Sequence, residues 1–283
     1  MYFIQLLIIG LLAGAVYALI GVGFTLVLGI GRIPNFAQGA FVGLGLYFAL
    51  FMKNQFGANP YEALIPGVVF FSLVGIGCAE LFERRGRRTG EIGELLVGLA
   101  FLMVLQGLFE TAYGDNPREI NGSALGYVHV AGIHIPGSQI LAAATTLVIA
   151  AAMWAWLQRS RWGRAMRAVT ENPMAAGLYG IRVPVIQRAS VTLSILLAGV
   201  AGVMISPFTV MSPGLGSSYL ITAFAVVLVG GIGNTLGALV AGLGIGIVDS
   251  LTGGYLASYW TTLAPLILIT AFLVLRRGTV VAA

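Results

Sequence analysis

The apolar stretches of this chain are too long and too continuous for a water-soluble fold. Nine of them stand near residues 4–29, 36–52, 62–82, 93–113, 139–157, 189–210, 219–233, 236–251 and 257–275, with short polar segments between. A bilayer core takes about 20 apolar residues as one helix. The runs lack the in/out alternation of an outer-membrane barrel, and lipid leaves an open sheet edge unsatisfied. The fold class is therefore an all-α polytopic membrane protein with about 8–9 transmembrane helices, forming a single domain over residues 1–283. The second, seventh and eighth runs are short, so one or two are expected to be broken or re-entrant. Only 9% of residues are charged, and mean hydropathy is +0.96. A soluble domain of this size needs more charge on its surface. Forty glycines suit close helix contact in lipid. Cys78 is the only cysteine and lies in an apolar run, which excludes a disulfide framework and leaves it a packing role. No basic segment precedes the first run, so that run is expected to stay as a span.

Cationic loops set the orientation. Arg84, Arg85, Arg87 and Arg88 fall in the polar segment 83–94, read as a cytoplasmic loop. Segment 158–188 holds six of the chain's 15 cations, and the tail holds Arg276 and Arg277. Placing these and Arg32 inside leaves Lys53 and Arg118 outside, with the N-terminus outside and the C-terminus cytoplasmic. The pI near 9.6 thus reflects membrane orientation and not a nucleic-acid partner. Residues 114–138 form the outer loop. Within it, alternation on both sides of Ala131-Gly132 predicts a β-hairpin. His129 and His134 lie on its two arms without a Cys, Asp or Glu close by in sequence, so no metal site is assigned.

Segment 158–188 could not dissolve in lipid, yet it is patterned. Arg161 to Thr170 has helical spacing. Asn172-Pro173 reads as an N-cap followed by proline at the first helical position. Met174 to Tyr179 makes a short helix that Gly180 can end. Ala165, Ala168, Met174, Ala175 and Leu178 then form a small-residue apolar face, and such a face fits a groove on a partner. A merely solvated loop has no need of Met174, Leu178 and Tyr179 between two capping signals.

Gly163-Arg164-Ala165, Arg167-Ala168, Asn172, Ala175-Ala176, Leu178 and Gly180-Ile181 resemble the cytoplasmic coupling segment of ATP-binding-cassette importer permeases, in the form used by the branched-chain amino acid family. Asn35-Phe-Ala-Gln38-Gly39 and Val229-Gly230-Gly231-Ile-Gly233-Asn234-Thr-Leu-Gly237-Ala238 are similar to two further elements of that family. The resemblance covers nearly the whole chain and is nearest to the shorter, LivH-type permease. It implies an ABC importer permease fold in a bacterial inner membrane. It also implies two separate ATPase subunits, a soluble binding protein outside, and a second permease subunit, the same or similar. Arg164, Arg167, Ala168, Asn172, Pro173, Ala175, Leu178 and Gly180 would then couple to the ATPase. Relatives that carry urea or short amides keep the substrate open at this point.

The chain has no Gly-x-x-x-x-Gly-Lys-Ser/Thr loop, no Cys/His metal set and no nucleophile–base pair, so it is read as a transport subunit without cofactor and not as an enzyme. Dense glycines predict a break at 230–237, and residues 32–39 make a similar break in the first half. Non-helical backbone at membrane depth must lie against protein or a watery cavity. Transporters place such breaks at matching positions of two repeats, near the substrate path. Asn35, Gln38, Gly39, Gly230, Gly231, Gly233 and Asn234 are therefore candidates for the translocation path, with local capping as the competing role of the three polar side chains. Leu11–Gly14 followed by Gly39–Phe41 is echoed faintly by Leu196–Gly199 followed by Thr222–Phe224. Gln106, Glu110 and Asp249 lie in or near spans, and interhelical bonding or snorkelling accounts for them better than a proton relay. An ATP-independent secondary transporter would need more intramembrane charge than this.

Overall fold

The computed structural model describes residues 2–31, 35–120, 126–130, 133–256 and 259–275. Arg32, Ala131-Gly132 and Arg276-Arg277 lie outside the described residues, as do the side chains of Arg84, Arg85, Arg87, Arg88, His129 and His134. The described chain is helical apart from one hairpin. In order it runs α1 (Tyr2–Gly31), α2 (Ala37–Phe56), α3 (Leu64–Tyr113), β1 (Tyr127–Val130), β2 (Ile133–Pro136), α4 (Gly137–Arg159), α5 (Arg161–Glu171) and α6 (Pro173–Leu178). It continues as α7 (Val183–Ile205), a 3₁₀ turn (Ser206–Phe208), α8 (Leu215–Gly230), α9 (Thr235–Tyr255) and α10 (Tyr259–Leu275). Among the described residues six stretches are long and apolar enough to cross a membrane, and two shorter apolar ones lie at 215–230 and 263–272.

Segment 83–94 departs from the expectation of a loop, because its backbone stays helical within the run Leu64–Tyr113. The run is not straight. The rings of Phe82 and Phe101 are 5.9 Å apart, whereas 19 residues of straight helix would separate them by about 28 Å. The chain therefore reverses between the spans Leu64–Phe82 and Leu95–Tyr113. Gly86, Gly90 and Gly93 lie in this segment, and glycine weakens a helix where it must bend.

The centre is built from α1, α2 and α7, whose buried residues include Leu19, Phe24, Phe41, Leu46, Ile195 and Met204. α1 packs antiparallel to α9, with Gly10 beside Ile247 and Gly14 beside Leu243. α7 packs antiparallel to the first arm of α3, with Gly75 beside Thr192 and Phe71 beside Gly199. Both α1 and α7 are followed by a break and then by a helix that starts inside the molecule. Gln38 at the start of α2 bonds Ser194, 11 residues into α7, a depth of about 16 Å. There α2 meets the start of α8: a Cβ on Gly216 would sit 2.8 Å from the carbonyl oxygen of Gly39. Glycine at both positions permits that approach of backbones. The units α1–α2–α3 and α7–α8–α9 thus run in opposite senses about this meeting point. The counterpart of the first break is therefore 206–214, where the apolar run 189–210 had been expected to continue, and not the turn at 231–234.

Two ends of the molecule follow from the same contacts. Gly29, Gly233 and Thr170 of α5 lie together at one end. The hairpin, Tyr2 and Tyr255 lie at the other, where the Tyr2 hydroxyl donates to Gly254 O at 3.1 Å. In the hairpin Val130 pairs with Ile133 and His129 with His134. Residues 114–120 cover the 206–214 break: Arg118 N–H donates to Met211 O (3.0 Å) and Met211 N–H donates to Arg118 O (2.7 Å).

Candidate functional site: the elbow and the glycine turn

α4 ends at Arg159, and its last carbonyls need partners that the helix cannot supply. Two arginines of α5 supply them. Arg167 donates from Nη1 to Leu157 O and from Nη2 to Gln158 O at 3.5 Å. Arg164 donates to Arg159 O at 3.3 Å. Cations at a helix C-terminus also oppose the negative end of its dipole. Ser160 begins α5, its Oγ accepting from Gly163 N–H at 2.9 Å. Gly163 itself lies directly under the Leu157 carbonyl, with no room for a Cβ. The Gly163-Arg164-x-x-Arg167 pattern therefore builds a fixed elbow between α4 and α5, with both arginines bonded to the end of α4.

α5 buries Gly163, Met166 and Val169. Ala165 and Ala168 are half-buried against the same core. Asn172 starts α6: its Oδ1 accepts from Ala175 N–H at 3.0 Å, and Pro173 takes the first helical position. Ala176 is buried, Ala175 is partly covered, and Gly180 has φ +83°. Met174, Leu178 and Tyr179 remain 80%, 86% and 86% exposed. Large apolar side chains this open on a polar segment are not explained by packing within the chain.

Next to the elbow, α8 stops at Gly230 and α9 begins at Thr235. Gly231 and Gly233 have φ +91° and +80°, values that favour glycine. Asn234 caps α9, its Oδ1 accepting from Gly237 N–H at 3.0 Å. Gly230 packs against Gly237, so the chain turns back here instead of continuing as a half-helix. A cavity of about 360 Å³ lies beside this turn, lined among others by Thr25, Arg167, Thr170 and Asn234.

At the first break Asn35 Oδ1 accepts from Ala37 N–H at 3.0 Å, a local cap. Gln38 does something else. It is fully buried, its Oε1 accepts from Ser194 Oγ at 2.7 Å, and its Nε2 has no partner. The elbow and the glycine turn therefore lie together at one end, while Asn35, Gln38 and Gly39 lie deeper in the molecule. Two further polar features, and the partner of a third, were missed from the sequence. Thr25 is fully buried and bonds the glycine turn. Tyr17 in α1 donates to Asp249 in α9 at 2.8 Å, which ties that intramembrane acid into an interhelical bond. The 206–214 break is fastened to Arg118. None carries a local signal, since each depends on which helices become neighbours. Among the described residues no group of three His, Cys, Asp or Glu could hold a metal.

Comparison with known proteins agrees with this architecture. The family described as branched-chain amino acid transport system / permease component matches residues 6–275. The chain is 31% identical over 250 residues to the probable branched-chain amino acid transport permease protein LivH of Methanocaldococcus jannaschii, covering 86% of this chain and 79% of that one. It is 28% identical over 293 residues to the high-affinity branched-chain amino acid transport system permease protein LivH of Escherichia coli K12, covering 98% and 95%. The ribose import permease protein RbsC of Bacillus subtilis is 27% identical over 249 residues, covering 83% and 73%. No solved structure matches the chain.

Proposed function

The chain belongs to the branched-chain amino acid transport permease family, and on that premise we propose that it is the membrane subunit of an ATP-driven importer of branched-chain, hydrophobic amino acids. One observation carries the coupling part of this reading. The exposed trio Met174, Leu178 and Tyr179 stands on a short capped helix, and that helix continues from an elbow anchored by Arg164 and Arg167. An apolar knob on a fixed arm suits a groove in another protein, here a separate ATPase subunit, one for each permease of a pair. The elbow end is then cytoplasmic, and the hairpin end faces a soluble binding protein outside. ATP shifts the permease between outward and inward access only as far as it favours one state over the other.

The test is Leu178→Asp. The side chain is exposed, so the fold has little to lose, while a buried charge would oppose docking. Co-purification of the ATPase and ATP-dependent leucine uptake in reconstituted vesicles should both fall at least tenfold. Retention of both would remove α6 from the docking surface. Titration of the binding protein with leucine, urea and acetamide fixes the substrate class, and heat only with leucine is the expected result.

A further inference from the structure

Several threonines of this protein bond within their own helix. In α4, α5, α9 and α10, Thr146, Thr170, Thr252 and Thr270 return their hydroxyls to the carbonyl four residues back, the usual habit of threonine in a helix. Thr25 of α1 does not. Its Oγ1 accepts from Gly233 N–H at 3.1 Å and donates to Gly231 O at 3.5 Å. One fully buried hydroxyl thus holds both sides of a turn whose glycines sit at positive φ. On the other side of the same turn stands α5. A Cβ on Gly233 would lie 2.9 Å from the Thr170 methyl carbon, and one on Gly29 would lie 3.4 Å from it and 2.8 Å from Gly233 Cα. The Thr170 methyl therefore rests against two bare backbones, with no side chain between to absorb movement.

We propose that Thr25 and Thr170 are positioning residues that carry displacement of the α5–α6 element into the 231–234 turn, Thr25 as its pin and Thr170 as its wedge. This rests on the ATP-driven reading above. The cavity beside them supplies the room: packed interiors switch between arrangements and do not compress, and about 360 Å³ of open space borders Thr25, Met166, Thr170 and Gly233. A push on α5 therefore reaches the turn, and the turn joins α8 to α9.

The experiment uses the complete transporter in vesicles and reads leucine taken up per ATP hydrolysed. Thr25→Val keeps the volume and removes the hydroxyl; Thr25→Ser keeps the hydroxyl. Thr170→Ser removes only the methyl; Thr170→Val keeps it and removes the hydroxyl. Thr25→Val and Thr170→Ser should lower the ratio at least fivefold while the ATPase subunit still co-purifies, with Thr25→Ser and Thr170→Val near the unsubstituted protein. Equal ratios in all four, or equal losses in all four, would overturn the proposal. Should Thr25→Val fail to assemble, the two Thr170 variants decide alone. Leucine uptake by the unsubstituted transporter without ATP would sink the ATP-driven reading first, and this inference with it.

Discussion

At the scale of single residues, Gln38 is the most exacting position. A buried amide group without a partner is costly, on the order of 1–3 kcal/mol, and Gln38 Nε2 is such a group at the junction of α1, α2 and α7. If the amide serves structure alone, removing it together with Ser194 should be harmless, since replacing both partners of a buried hydrogen bond by apolar groups is nearly neutral. Ser194→Ala alone strands the Gln38 oxygen and should lower the unfolding midpoint in detergent. Adding Gln38→Met should restore that midpoint. Leucine uptake should nonetheless fall at least tenfold in the double variant, as expected for an amide that faces the translocation path. Full uptake in a stable double variant would confine Gln38 to structure. Asn35 and Asn234 differ from it, because each already spends its side-chain oxygen on a local cap.

At the scale of elements, local signals were legible and tertiary ones were not. The boundaries of α6 follow from Asn172, Pro173 and Gly180, three residues that act on their own backbone. The trio Met174, Leu178 and Tyr179 stands out as large side chains between two capping signals. The bonds of Arg164 and Arg167 were not legible, because their carbonyl partners belong to the preceding helix, whose last turn no spacing rule brings to them. Hydropathy carried the expected span past Pro207 because it measures cost in lipid, whereas the 206–214 break is shielded by protein, through Arg118 and Met211. Charge density made a loop of 83–94 where the backbone is helical. The reversal of α3 can be measured. In a Cys78→Ser background, Phe82→Cys with Phe101→Cys should be bridged by a cross-linker of about 8 Å, given ring centroids 5.9 Å apart. A straight α3 holds those positions about 28 Å apart and would give no product with so short a reagent.

At the scale of the whole molecule, the opposed units α1–α2–α3 and α7–α8–α9 give the two ends separate fastenings. At the elbow end the 231–234 turn is held by Thr25. At the hairpin end the 206–214 break is held by the Arg118–Met211 pair. Each fastening lies beside non-helical backbone, and the starts of α2 and α8 meet between them at Gly39 and Gly216. Alternating access requires two ends that open in turn and never together, and the arrangement has a direction only once the ends are assigned to sides of the membrane. Cation counting puts the elbow inside, with Phe56 at the opposite end because α2 runs parallel to α7 and away from α5. Phe56 and Leu178 are 71% and 86% exposed, so cysteines there are open to reagent. In intact cells lacking Cys78, with the outer envelope made permeable, a membrane-impermeant maleimide should label Phe56→Cys and spare Leu178→Cys. Inverted vesicles should reverse the pattern. Labelling of Leu178→Cys from outside would place the elbow where no cytoplasmic ATPase could reach it, and the fastening held by Thr25 would then be the outer one.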